Sequence, residues 1–135
     1  MGGKKLIVMN KISKFVPPIL FFAWSVLLVY FSLMPNSSVP GSDSTTFRWD
    51  FLEHMVAFGL FSFLYVFWRI ENLKKKREFF QFMIIGILYA VFTELIQHFT
   101  DDRTVNPMDI LFNFIGLFSG FYISILLFHK VIKTK

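Results

Sequence analysis

Apolar residues along the chain gather into four long runs, at 15–33, 51–68, 79–99 and 108–128, separated by short intervals that hold most of the charge. The runs contain 19, 18, 21 and 21 residues. A helix rises 1.5 Å per residue, so about 20 residues cross the ~30 Å hydrocarbon core of a bilayer. Each run therefore predicts one spanning helix. Together they take 79 of 135 residues and leave two termini and three short connections, with no room for a separate soluble domain. The expected architecture is all-α: a polytopic membrane protein whose residues 1–135 form a single domain, a compact four-transmembrane-helix bundle.

The first run has the basic flank of a signal peptide in Lys4, Lys5, Lys11 and Lys14. It is longer than the roughly 7 to 15 residues of such a segment and leaves through Leu33-Met34-Pro35, a poor cleavage site. It reads as an uncleaved span, with Pro17 and Pro18 in its first turn, where a missing N–H costs nothing.

Composition strengthens this picture. The chain is 55% hydrophobic and 17% charged, against about 25% charged in soluble domains, which excludes an ordinary soluble enzyme and a disordered chain. The absence of cysteine removes disulfides, zinc ribbons, iron–sulfur clusters and thiol nucleophiles. A net charge of +5 raises the question of nucleic acid, and the placement of the basic residues answers it. Four precede the first run, five lie between Arg69 and Arg77, and three follow the fourth run, while the other two connections hold only Arg48 and Arg103. Twelve against two predicts, by the positive-inside rule, both termini and the second connection in the cytoplasm of a multi-pass cytoplasmic-membrane protein. No nucleic-acid partner is needed. The Lys74, Lys75, Lys76 and Arg77 run is expected beside anionic inner-leaflet lipids, at about 1 kcal/mol per residue.

Polar side chains within spans are costly, so each marks a candidate site. Asp50, Glu53 and His54 open the second run; Glu94, Gln97 and His98 close the third; Asp109 and Asn113 open the fourth. All lie at the outer ends of their helices, with His54, Glu94 and Asn113 roughly 5 to 8 Å below the interface at 1.5 Å per residue. Asp50 with His54, Glu94 with Gln97, and Asp109 with Asn113 are spaced three or four apart, one face of a helix in each case. Gly116 and Gly120 continue the Asn113 stripe as a small-xxx-small surface, which directs that stripe into the bundle.

Structural roles compete with chemical ones. Asp50 and Glu53 have the spacing of a capping box, and Asn106-Pro107 with Asp109 resembles a second helix start. His98, beside the interface, reads as a solvated ring. No cap accounts for His54, Glu94 and Asn113. A buried Glu must be paired, hydrogen-bonded or protonated, so the alternatives are a functional site and an interhelical lock worth about 1 kcal/mol per contact. Arg103, one of two outer basic residues, has a fork suited to phosphate or carboxylate, or to pairing with Asp101 or Asp102. A metal centre of His54, Glu94 and Asp109 has no supporting ligand spacing such as His-x-x-x-His, and no cofactor is expected.

The string Glu94-Leu-Ile-Gln97 with Arg103, Asp109, Asn113, Gly116 and Gly120, preceded by Asp50-x-x-x-His54 and Ser32-Leu33-Met34-Pro35, resembles the VanZ-like membrane proteins. The resemblance covers about Ser32 to Gly120. It implies a four-helix membrane protein of a family named for a member conferring low-level teicoplanin resistance, and it carries over each of those residues from Asp50 to Gly120. Many members have Lys after the first Asp, where this chain has Phe51; the departure leaves Arg103 as the main anion contact.

Two functions follow as expectations. In one, an enzyme acts at the outer leaflet on a membrane lipid or lipid-linked envelope precursor: Glu94 or His54 is the base, Asp50 orients His54, Arg103 holds the anion, and Gln97, Asp109 and Asn113 bind substrate. In the other, the same residues make a non-catalytic head-group receptor or scaffold. A flippase fits less well, since such proteins show paired repeats or helices broken at mid-bilayer.

Overall fold

The computed structural model describes the backbone of residues 2–34, 49–69, 76–99 and 106–133, with the side chains of 14–34, 50–69, 77–99 and 106–128. It holds four helices: α1 (Gly2–Ser32), α2 (Trp49–Arg69), α3 (Lys76–Gln97) and α4 (Pro107–Lys133). All four are long and apolar enough to cross a membrane, over Lys14–Ser32, Asp50–Arg69, Arg77–Gln97 and Pro107–Phe128. Among the described residues there is no strand.

One expectation fails in α1. The helix begins at Gly2, so Pro17 and Pro18 lie in its interior and not in its first turn. Apolar patterning locates where hydrocarbon begins, whereas helical hydrogen bonding continues through the basic residues ahead of it. The start of α4 behaves as its sequence suggests. Asn106 Oδ1 accepts from Met108 N at 3.0 Å, and Asn106 O from Asp109 N at 3.0 Å. Asn106 Nδ2 returns a bond to Asp109 Oδ1 at 3.2 Å, so the orphan donors of the first turn are satisfied around Pro107. Asp50 lies inside the first turn of α2, which starts at Trp49, where a negative charge is favoured by the helix dipole.

Successive helices run antiparallel, which makes α2 and α4 parallel neighbours: Phe51 stacks on Phe112 near one end and Phe67 on Phe128 near the other. These two helices touch backbone to backbone. A Cβ added to Gly116 would collide with the Met55 carbonyl oxygen, and one on Gly120 with the Gly59 carbonyl. Ser62 Oγ donates across the same seam to Leu117 O at 2.7 Å. Helix α1 is pinned at mid-height, where Trp24 Nε1 donates to Ala57 O at 3.0 Å and the Tyr89 hydroxyl donates to Ser25 O.

The core is aromatic. Tyr65 and Phe82 stack with centroids 4.1 Å apart, and Phe21, Phe61 and Phe121 extend the cluster to all four helices. Lipid tails are as apolar as these rings, so the cluster holds by close packing and ring geometry and not by escape from water. Outward-facing Phe22, Ile84, Leu88 and Leu127 are exposed, as a lipid-facing surface requires. In the basic run Arg77 is exposed, while the side chains of Lys74, Lys75 and Lys76 lie outside the described residues.

Candidate functional site

At the end of the bundle opposite the Trp68 rings, three helices deliver polar groups to one depth. His54 stands five residues into α2, Glu94 three residues before the end of α3, and Asn113 six residues into α4. Glu94 and Asn113 are wholly buried, and Gln97 and Asp109 nearly so. Full burial of a carboxylate in an apolar bundle demands hydrogen-bond partners. Asn113 is one: its Nδ2 donates to Glu94 Oε1 at 3.0 Å.

That bond sets the orientation of the rest. With the amide nitrogen turned to Glu94, Asn113 Oδ1 faces His54 Nδ1 at 3.0 Å. Glu94 Oε1 lies 3.4 Å from the same ring nitrogen. Both neighbours of Nδ1 are acceptors, so Nδ1 carries a proton. Nε2 stands 3.9 Å from Asp109 Oδ2, beyond hydrogen-bond distance. Asp109 divides its two oxygens between roles, Oδ1 accepting from the Asn106 cap and Oδ2 facing the ring. Capping and site-building are thus not alternatives for this residue.

Beside His54 lies a cavity of about 110 Å³, walled by Leu28, Phe31 and Ser32 of α1, by Phe58 and the exposed Glu53 of α2, and by Thr93 and Gln97 of α3. It adjoins the imidazole from the α1–α3 side, while Asn113 and Asp109 approach from α4. Among the described residues, the carboxylates at this end are Asp50, Glu53, Glu94 and Asp109.

Residues 5–128 match the family model described as VanZ/LLP1. The chain belongs to the VanZ/LLP1 family. The match takes in every candidate span, from Lys14 to Phe128. No curated protein and no solved structure matches the chain. Family membership and four apolar helices make it a VanZ/LLP1 membrane protein and assign it no reaction.

Of the residues singled out in the sequence, the structure brings His54, Glu94, Asn113 and Asp109 into mutual reach, with Gln97 on the adjoining cavity wall. Asp50 lies one turn from His54 on α2, but the ring nitrogens of His54 meet Asn113, Glu94 and Asp109. The carboxylate beside Nδ1 is Glu94. His98 is exposed and packs its ring edge-on to Phe99. Arg103, with Asp101 and Asp102, lies outside the described residues, as does the Arg48 connection. Gly116 and Gly120 form the α2–α4 seam directly beneath Asn113. Among the described residues no group of three or more His, Cys, Asp or Glu is disposed to hold a metal ion.

Sequence reasoning passed over Gly59 and Thr93, and took Ser32 only as part of the Ser32-Leu33-Met34-Pro35 string and not as a cavity residue. Gly59 supplies the α2 half of the seam together with Ser62 three residues on, but no Gly-x-x-x-Gly pair on α2 advertises it. Ser32 and Thr93 line the cavity, yet each bonds a carbonyl of its own helix, Leu28 O at 2.8 Å and Ala90 O at 2.9 Å, as hydroxyls in ordinary helices do.

Proposed function

We propose that this VanZ/LLP1 protein carries an acid–base site at the outward face of the cytoplasmic membrane, acting by hydrolysis or group transfer on a membrane lipid or lipid-linked envelope precursor that bears phosphate or carboxylate. The observation that carries this reading is the held imidazole: Nδ1 is fixed by Asn113 and Glu94, and Nε2 stands 3.9 Å from Asp109. That is the geometry of a general base. Nε2 takes the proton of a water or substrate hydroxyl as its oxygen attacks the anionic centre. The resulting imidazolium lies between the Glu94 and Asp109 carboxylates, and it returns the proton to the leaving group. Gln97 positions the substrate from the cavity wall, and Arg103, the outer basic residue of the third connection, holds its anion. The outward orientation rests on the twelve basic residues at the opposite ends of the spans. A changed susceptibility to teicoplanin belongs to this reading only as a consequence of altered envelope lipids.

A second reading is favoured by one observation. Asn113 is fully buried and bridges Glu94 and His54, which is also how an interhelical lock or a head-group receptor is built. The test reconstitutes the protein with a total lipid extract of its host membrane and follows conversion of lipid species by mass spectrometry. Glu94→Gln keeps an acceptor for Asn113 and removes the charge; His54→Gln removes the base. Catalysis is supported if the unaltered protein converts a species and both variants lose at least about a hundredfold in rate while staying folded. If both variants convert lipid like the unaltered protein, or if no species is converted, the polar group is a lock or receptor.

A further inference from the structure

The opposite end of the bundle holds a second, larger cavity, of about 450 Å³, between α1 and α3 with α2 at its back. Its apolar walls include Phe22, Trp68, Phe82 and Ile85, and Phe22 and Ile85 are open to the lipid side at 56% exposure each. Its polar rim is Arg69, Glu78 and Gln81. The groove starts where the candidate spans Asp50–Arg69 and Arg77–Gln97 end and begin. From Glu78 to Ile85 it descends about 10 Å into the hydrocarbon region, at 1.5 Å per residue. The bonds that pin α1, from its Trp24 to Ala57 and from Tyr89 of α3 to its Ser25, lie between this groove and the His54 cavity, so the two are distinct spaces.

The rim has a charge pattern of its own. Arg69 Nη2 donates to Glu78 Oε2 at 2.8 Å, and the guanidinium stands 5.7 Å over the Trp68 ring. Arg69 is partly exposed, with 31% of its side-chain surface accessible, and Glu78 is at 12%. One positive and one negative group thus sit side by side at the mouth of an apolar slot that opens to lipid. A purely anionic head group meets the Glu78 carboxylate as well as Arg69 and gains little. A head group with a phosphate and a primary ammonium matches both charges at once. A guanidinium fork with five donors accommodates a phosphate beside a carboxylate, and a carboxylate accepts about four hydrogen bonds.

We propose that this groove binds an aminophospholipid, with its phosphate on Arg69, its ammonium at Glu78 and an acyl chain along Phe22, Phe82 and Ile85. The site is separate from the proposed outer chemistry and does not depend on it. It also differs from the Lys74 to Arg77 run, whose attraction is to anionic surface charge, because here shape and paired charges select the head group.

Native mass spectrometry of the full chain, released from detergent after incubation with an equimolar mixture of three phospholipids of identical acyl chains, tests this. The head groups are phosphoethanolamine, phosphocholine and phosphoglycerol. The expected one-lipid complex carries phosphoethanolamine, roughly tenfold over phosphocholine, whose quaternary ammonium donates no hydrogen bond. Glu78→Gln is expected to erase that preference, and Arg69→Gln to reduce adducts of all three lipids by roughly tenfold. Equal adducts of the three lipids on the unaltered protein, or a prevailing phosphoglycerol adduct, overturn the proposal without recourse to any variant.

Discussion

At the Trp68 end, rings from all four helices meet in a cluster that contains Tyr65, Phe82, Phe61, Phe21 and Phe121, and one ion pair, Arg69 with Glu78, closes it at the boundary. At the His54 end three of those helices, α2, α3 and α4, bring together amide, imidazole and carboxylate groups, three of them linked at 3.0 to 3.4 Å. Ring packing prefers offset or edge-on pairs but tolerates changes that conserve volume. The polar cluster is directional. With Glu94 ionised, Asn113 donates to Glu94 and accepts from His54 Nδ1, and that single choice places a proton on Nδ1. Stability is therefore distributed at one end, and specified atom by atom at the other.

The α2–α4 seam lies between the two ends and serves both. Gly116→Leu or Gly120→Leu drives a side chain into the Met55 or Gly59 carbonyl, and the expected cost is about 3 kcal/mol or more. Thermal unfolding in detergent should show loss of the folded species, and damage confined to one end would break the picture of a shared axis. Next comes Asn113→Leu, which removes the common partner of Glu94 and His54. An expected loss of about 2 kcal/mol exceeds that for Phe82→Leu, about 1 kcal/mol. If the aromatic change costs more, the contrast between the ends is wrong. Glu94→Gln should change stability by less than about 1 kcal/mol, since an acceptor for Asn113 remains, while sharply reducing function. The smallest effect is expected from Arg69→Gln, about 0.5 kcal/mol, because Arg69 is partly exposed and the Gln amide can still donate to the buried Glu78.

Much of this contrast was readable in the chain. Four apolar runs near 20 residues have one economical solution in a bilayer, because unsatisfied backbone groups leave only helices. Glu94 and Asn113 stood out because nothing but a partner in another helix could satisfy them at that depth. Other features were not readable, for physical reasons. The onset of α1 at Gly2 escaped because hydropathy marks the hydrocarbon boundary and carries no information on where hydrogen bonding starts. Choosing Glu94 over Asp50 as the neighbour of His54 depends on helix rotation, which spacing within one helix does not define. The Arg69–Glu78 pair joins two helices across a connection whose path the sequence does not specify.

The central claim is that His54 is held with its proton on Nδ1 and its lone pair on Nε2. Nitrogen-15 NMR of the histidine-labelled protein in bilayers reads this directly, with His54→Gln identifying the signal among the three histidines of the chain. The expected result is a protonated, pyrrole-type Nδ1 and an unprotonated, pyridine-type Nε2 in the same ring. A ring protonated at Nε2 alone, or at both nitrogens, at neutral pH would contradict the claim and leave His54 as a partner in a lock and not a base.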